Sequence, residues 1–343
     1  MNTKPSIALI GTGGTIAGSA PSAAQSARYT PASVGVETLL ASIPDLEHDY
    51  AVSLAQPFQL ASYDLGPVHW MQLLDQLQAR LADPHIDGAV ITHGTDTLEE
   101  TAFFLHLSLG SRKPTVLIGA MRPSTAYSAD GPANVLDAFR VAADRRAWGR
   151  GCLVLMNGRI HGALEVSKRH VGSVEAFDSG LAGALGEVSD RQVRWFRPPC
   201  QPPALALNPA TGLPRVDIVT SYAGADASAL QGCLAAGARG IVHAGLGNGN
   251  APPGIREALK NLVGSGVSLG RCSRWIPGGV TRNSTMFNDD ELGIWTAAGL
   301  PPHKLRIAMM VAMAAGLEGR AVQDWLDHVV EYQGAHPIED LGH

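Results

Sequence analysis

Hydrophobic positions along the chain fall into short runs that alternate with stretches of helical periodicity. Residues 6–10 form an apolar run closed at once by a glycine turn, and residues 87–92, 114–119 and 151–156 repeat the form. Runs this short, ended by turn residues, read as buried strands. Between them, residues 97–109 carry Leu98, Ala102, Leu105 and Leu109 at helical spacing, and residues 133–148 carry Val135, Leu136, Phe139 and Ala143 in the same way. Strands alternating with helices predict an α/β fold with a parallel sheet covered by helices on both faces.

A composition break follows. Residues 195–214 hold five prolines between Pro198 and Pro209 and a Gly212-Leu213-Pro214 turn, which reads as an interdomain linker. Beyond it the α/β pattern resumes, with strand-like residues 216–220, 240–244 and 266–270, helix-like residues 227–238 and 255–264, and helical residues 303–317 and 322–332. The expected organisation is a larger N-terminal domain over residues 1–194, a linker over 195–214 and a smaller C-terminal α/β domain over 215–343. An Ala/Ser/Pro-rich stretch, residues 19–33, is long for a connection inside a compact domain and is a candidate lid.

Composition narrows the function classes. With 343 residues, 45% hydrophobic and 17% charged, the chain has ample material for a packed core and lacks the signature of disorder. The net charge of −5 and the absence of a basic block argue against nucleic acid and anionic membranes as partners. No stretch approaches the roughly 20 apolar residues that span a bilayer. The apolar run near the start is too short for a signal segment. Cys152, Cys200, Cys233 and Cys272 form no CxxC pair, so they read as free thiols of a reducing, cytoplasmic compartment. No HxH or HExxH spacing occurs, and no metal or other cofactor is expected.

Three strand ends carry candidate chemistry. Gly11-Thr12-Gly13-Gly14-Thr15 follows the first strand. It fails the dinucleotide fingerprint, because GxGxxG from Gly11 would need glycine where Ile16 stands, and it lacks the GK[ST] of a P-loop. What remains is a glycine turn at the carboxyl edge of a parallel sheet, where ligands bind, with the Thr12 and Thr15 hydroxyls presented and backbone N–H groups able to face an oxyanion. A tight turn without chemistry fits the same residues. Thr92-His93-Gly94-Thr95-Asp96-Thr97 ends a second strand and opens a helix, where the dipole favours negative charge. Asp96 three residues before Glu99 also fits a capping box, and His93 reads as a core or supporting histidine. Gly119-Ala120-Met121-Arg122-Pro123-Ser124, with Ser128-Ala129-Asp130-Gly131-Pro132 at the mouth of a helix, ends a third strand and fits equally a turn with proline at the first helical position. Lys168 alone reads as a surface lysine.

These motifs, with residues 245–250 and 271–279, resemble the bacterial L-asparaginase and glutaminase-asparaginase family of threonine amidohydrolases over essentially the whole chain. The resemblance implies a larger and a smaller α/β domain and a homotetramer whose sites are completed by a neighbouring subunit. It implies Thr15 as nucleophile with Tyr29 as its lid partner, and Thr95, Asp96 and Lys168 as a second hydroxyl, carboxylate and lysine group. Ser62 and Asp96 would hold the substrate's α-carboxylate and α-amino groups. Gly14 and Thr95 would supply backbone contacts, and Ala120 a carbonyl near the leaving amide. Asn248 lies in a further matching stretch and is taken as substrate-binding. Tyr63 stands where the family often has Gln or Glu, and residues 281–287 lack the acid that asparagine-selective members often carry there.

The chemistry is coherent from below. A threonine hydroxyl is a weak nucleophile and needs a positioned base. Tyr29 would relay its proton, and Lys168, if neutral beside Thr95, would activate the water or the second hydroxyl. The expected function is hydrolysis of L-asparagine to L-aspartate and ammonia through an acyl-enzyme. Tyr63 and the missing acid leave room for glutamine, D-asparagine or another small amide. A non-catalytic amino-acid binder is the reading from another class. A subunit of a tRNA-dependent amidotransferase is disfavoured, because the glycine turn begins at Gly11 with no room for the extra N-terminal domain.

Overall fold

The computed structural model describes residues 4–24, 28–199, 204–208, 211–275 and 279–331. The described residues fall into two compact units, one within Met1–Pro202 and the other within Pro203–Ala335. In the first, strands β1 (Ser6–Gly11), β2 (Ala51–Ala55), β3 (Gly88–Thr92), β4 (Thr115–Ile118), β5 (Cys152–Met156), β6 (Arg159–Gly162), β7 (Ser167–Lys168), β8 (Phe177–Asp178), β9 (Gly186–Ser189) and β10 (Gln192–Trp195) alternate with helices α1 (Val36–Ala41), α2 (Asp45–Asp49), α3 (Pro67–Leu81), α4 (Leu98–Ser108) and α5 (Gly131–Ala143). In the second, β11 (Val216–Thr220), β12 (Gly240–Gly245), β13 (Ser268–Ser273) and β14 (Ile294–Thr296) are interleaved with α6 (Ser228–Ala235), α7 (Pro253–Lys260), α8 (Asp289–Leu292), α9 (Pro302–Ala314) and α10 (Arg320–Glu331).

The large sheet runs β10-β9-β6-β5-β4-β3-β1-β2. It is parallel from β2 to β5, as the alternating pattern predicts, and antiparallel where β6, β9 and β10 extend it. The extension belongs to strands of four residues that lack the apolar runs of the centre. Side chains alternate across the sheet: Ile7, Leu9, Val90, Val116, Leu153 and Leu155 join α1 and α5 in one core. Helices α3 and α4 pack against each other and against β3, β4 and β5, with the Trp70 and Phe104 rings stacked at 5.4 Å. The second unit has a fully parallel sheet, β11-β12-β13-β14. Its core joins Leu230, Ile255 and Leu259 to Ile241, Leu269 and Phe287.

Local boundaries follow from side-chain competition. The helical pattern over 133–148 stops at Ala143, because the Asp144 carboxylate accepts from Arg146 N–H at 2.9 Å and from Trp195 Nε1 at 3.0 Å, capping a separate 3-10 turn over Arg145–Ala147. Helix α4 starts at Leu98 with Thr97 as its N-cap, so the capping box from Asp96 to Glu99 does not form. Cys152 and Cys272 are buried and Cys233 is half-buried, all three free, and burial pushes their thiols up. Cys200 and Tyr332 lie outside the described residues. No helix among the described residues is long and apolar enough to cross a membrane.

Candidate active site

The register of β1 on β3 pairs Ile10 with Ile91 and Gly11 with Thr92, so the two strands end together and their loops leave the same sheet edge. Thr12 ties them: its N–H and its hydroxyl both donate to Thr92 O, at 3.1 and 2.8 Å. Beyond this tie the loops touch through glycines. Gly14 has φ +80°, a left-handed conformation that disfavours side chains, and a Cβ on it would overlap the Gly94 backbone. A Cβ on Gly94 would meet Ser62 Oγ at 2.6 Å. Thr15 and Thr95 each follow one of these glycines, and both are buried.

Each threonine has a defined partner. Thr15 Oγ1 lies 2.7 Å from Tyr29 Oη, with either oxygen able to donate. Tyr29 comes from the stretch 19–33, whose flanks are joined by reciprocal Ser19–Thr30 backbone hydrogen bonds of 3.1 and 2.9 Å. Residues 25–27 lie outside the described residues. On the other side Lys168 Nζ donates to Thr95 Oγ1 at 2.9 Å and to Asp96 Oδ1 at 2.6 Å. Lys168 is delivered by the two-residue strand β7, paired antiparallel with β8. The Asp96 carboxylate therefore serves an ion pair and not a helix cap, and at 56% exposure it stays open to solvent.

Ser62 is buried and knits the wall: its Oγ accepts from Asp96 N–H at 3.2 Å and its carbonyl accepts from Thr97 Oγ1 at 2.7 Å. Tyr63, next in sequence, is 66% exposed. The Gly14 N–H, expected among the groups facing an oxyanion, is taken by Leu60 O at 3.0 Å. The Thr15 amide opens a 3-10 turn, where the first N–H groups lack intrahelical acceptors.

His93 is fully enclosed and its hydrogen bonds admit one tautomer. Nδ1 lies 2.7 Å from Gly94 O, an acceptor only, so Nδ1 carries the proton. Nε2 then accepts from Thr101 Oγ1 at 2.9 Å, and Thr101 accepts from Trp70 Nε1 at 3.0 Å. Burial lowers the His93 pKa to about 4, partly offset by the Gly94 bond, so the ring stays neutral at ordinary pH. Sequence reasoning placed His93 in a supporting role but missed Trp70 and Thr101. The helical spacing of Trp70, Leu74, Leu77 and Leu81 after Pro67 was the available signal for α3.

The third strand end joins the same wall. A Cβ on Gly119 would meet Thr95 Cγ2 at 2.8 Å, and Ala120 is fully buried. Among the described residues no group of three His, Cys, Asp or Glu side chains is placed to hold a metal ion.

Comparison with known proteins agrees with this geometry. A model of the asparaginase N-terminal domain matches residues 6–201, and one of the glutaminase/asparaginase C-terminal domain matches residues 215–326. The chain belongs to the asparaginase family. It is 36% identical over 327 residues to the probable periplasmic L-asparaginase of Haemophilus influenzae, covering 94% of this chain and 93% of that one. It is 40% identical over 322 residues to the glutaminase-asparaginase of Pseudomonas aeruginosa, covering 92% and 88%. The crystal structure of a probable cytoplasmic L-asparaginase from Campylobacter jejuni superposes with a TM-score of 0.90 at 34% identity, covering 95% of this chain and all of that one.

Two stretches singled out for this asparaginase-family chain lie in its second unit. Arg271, only 1% exposed, holds both: its guanidinium donates to Asp289 at 2.7 and 2.6 Å, to Asn248 O at 2.7 Å and to Thr281 O at 3.0 Å. Asn248 Oδ1 accepts from Thr281 N–H at 2.6 Å. Asn283 is committed within its own loop, donating through Nδ2 to Asp290 Oδ2 at 2.7 Å and accepting from Asp290 N–H at 3.0 Å.

Proposed function

We propose that this chain is an amidohydrolase that cleaves the side-chain amide of L-asparagine, giving L-aspartate and ammonia. The observation that carries the reading is the Gly14–Gly94 contact, which sets the Thr15 and Thr95 hydroxyls on facing loops of one sheet edge. Thr15 Oγ attacks the amide carbon while its proton passes through Tyr29 to the departing nitrogen. Ammonia leaves an ester on Thr15. A water held by Thr95 and Lys168 then cleaves that ester, restoring the Thr15 hydroxyl. The amides of Thr15 and Thr95 are the proposed donors to the oxyanion, each worth about 10²–10³ in rate. Ser62 and Asp96 bind the α-carboxylate and α-amino groups, Gly14 supplies its backbone, and the Ala120 carbonyl takes an N–H of the leaving amide.

Thr15→Ala and Thr95→Ala should each abolish ammonia release while the thermal melt stays near that of the parent. Near-normal turnover by Thr15→Ala rejects the assignment. Asparagine binding by the parent in calorimetry without any ammonia would replace the enzyme with a binder.

A second reading of the same chemistry, a relaxed or shifted amide substrate, is favoured by particular residues. Tyr63 is exposed where an amide or acid is usual in the family, residues 281–287 carry no acid, and the Asn283 side chain is already engaged by Asp290. Neither is poised to supply the missing carboxylate. Rates for L-asparagine, L-glutamine and D-asparagine in one ammonia assay decide between the two, and a strong preference for L-asparagine removes the second. We further propose a homotetramer, with Asn248 and Tyr63 at sites completed by a neighbouring subunit, and a cytoplasmic location, the latter on the three free cysteines. Light scattering tests the assembly.

A further inference from the structure

Helix α5 opens with an unusual use of its N-cap. Asp130 occupies the position where an aspartate ordinarily accepts from the N–H groups of its own first turn, yet it makes no side-chain cap. Its carboxylate turns back to the third strand-end loop instead. Oδ2 accepts from Met121 N–H and Oδ1 from Arg122 N–H, both at 2.9 Å. One turn along α5, the buried Asn134 donates from Nδ2 to Gly119 O at 3.0 Å and accepts from Asn157 N–H at 3.0 Å. Both peptide planes flanking Ala120 are therefore fixed, one through the Gly119 carbonyl and the other through the Met121 amide.

Two groups of these planes are left, the Ala120 N–H and the Ala120 carbonyl, and the carbonyl is the one able to accept a substrate N–H. In a trans peptide the C=O points opposite to the N–H of the following residue. With Met121 N–H on the Asp130 carboxylate, the Ala120 oxygen is aimed away from α5. Ala120 is fully buried, and among the described residues no donor reaches this oxygen. A buried carbonyl without a donor is costly and rare, and a substrate N–H would relieve it. The preceding residue, Gly119, packs directly against Thr95.

We infer that Asp130 is a positioning residue that aims the Ala120 carbonyl at the leaving amide, and thereby makes the site prefer amides to esters. The inference rests on the amidohydrolase reading. An amide nitrogen carries hydrogens that the carbonyl can accept, which holds the nitrogen in place to receive the proton from Thr15. An ester oxygen has none, so an ester gains nothing from the carbonyl's aim.

The experiment compares kcat/KM, which reports acylation, for L-asparagine and for the β-methyl ester of L-aspartate in the parent and in Asp130→Asn. The asparagine amide side chain can accept one N–H but presents its own donors to the other. The expected result is a loss of about tenfold on the amide and less than about threefold on the ester. Equal losses on both substrates overturn the inference and leave Asp130 a structural residue. Should Asp130→Asn fail to fold, Asn134→Ala loosens the neighbouring plane and is expected to show the same amide-selective loss. The carbonyl's direction is also read without turnover, from crystal structures of the parent and variant. A rotated Ala120–Met121 peptide in the variant supports the inference and an unmoved one overturns it. A parent that hydrolyses neither substrate defeats the proposed function but leaves this structural arm standing.

Discussion

The two threonine walls begin alike and are built differently. Each is a glycine turn that leaves the same sheet edge, with a hydroxyl one residue beyond the point where the turns touch. Behind Thr95 the support is rigid. Gly94 is held by the fully buried His93–Thr101–Trp70 chain, and the hydroxyl by a lysine that also grips Asp96. Behind Thr15 stands one phenol, Tyr29, carried on a surface stretch tied by the Ser19–Thr30 backbone pair and by the Ala32 N–H donating to Gly14 O. The difference suits a division of labour. The nucleophile must exchange its proton partner and admit substrate, which a half-buried phenol near the surface allows. The second hydroxyl has to keep one geometry through both halves of the reaction, which a buried scaffold enforces.

Severing each hydroxyl from its partner breaks the comparison most directly. Lys168→Met removes both bonds from Nζ, leaving Thr95 unheld and Asp96 unpaired, and kcat is expected to fall about 10³-fold. Tyr29→Phe removes a single hydroxyl from a wall that water can reach, and a loss of about 10²-fold is expected. Steady-state ammonia release measures both. A Tyr29→Phe loss equal to or larger than that of Lys168→Met would mean that the walls do not divide the work in this way.

His93 sharpens the comparison, since among the described residues no buried histidine supports Thr15. Its Nδ1–H fixes the Gly94 carbonyl and so turns the Thr95 amide the other way. Asparagine at this position can place a donor near the site of Nδ1, whereas glutamine reaches only toward Nε2 and Thr101. His93→Asn should keep kcat within about threefold, and His93→Gln should lower it about tenfold with KM little changed, the pattern of a transition-state contact. Indistinguishable kcat values for the two variants would reduce His93 to a core filler.

How much of this was legible in the sequence depends on how locally each group is encoded. Thr15, Thr95 and Asp96 lie in contiguous strand-end motifs, so pattern and chemistry coincide within ten residues. The central parallel strands were legible for the same reason, being short apolar runs closed by turns. Lys168 entered only through the family resemblance, because it reaches Asp96 from a two-residue strand 72 residues away with no local pattern to mark it. Strands β6, β9 and β10 went unread because segments of four residues without an apolar run carry little periodicity. Asp130 was opaque in a different way: in the sequence it only belongs to a turn before a helix, and the fold alone reveals that its carboxylate faces the preceding loop.

The buried histidine also gives the Thr95 wall an acid sensitivity that the Thr15 wall lacks. Burial lowers the pKa values of His93, His161, His243 and His303 to about 4. In the unfolded chain a histidine titrates near 6.5, so between about pH 6.5 and 4 the unfolded state binds protons that the folded state refuses. The stability present above pH 6.5 is therefore lost as the pH falls toward 4, by about 1.4 kcal/mol per pH unit for each such histidine. His93→Asn removes one of the four, and the slope of unfolding free energy against pH over this window should become shallower by that one share. Urea melts at a series of pH values give the slope. Superimposable slopes for the parent and His93→Asn would show that His93 either carries its proton in the folded state or escapes burial, and the Thr95 wall would lose the rigid backing that sets it apart.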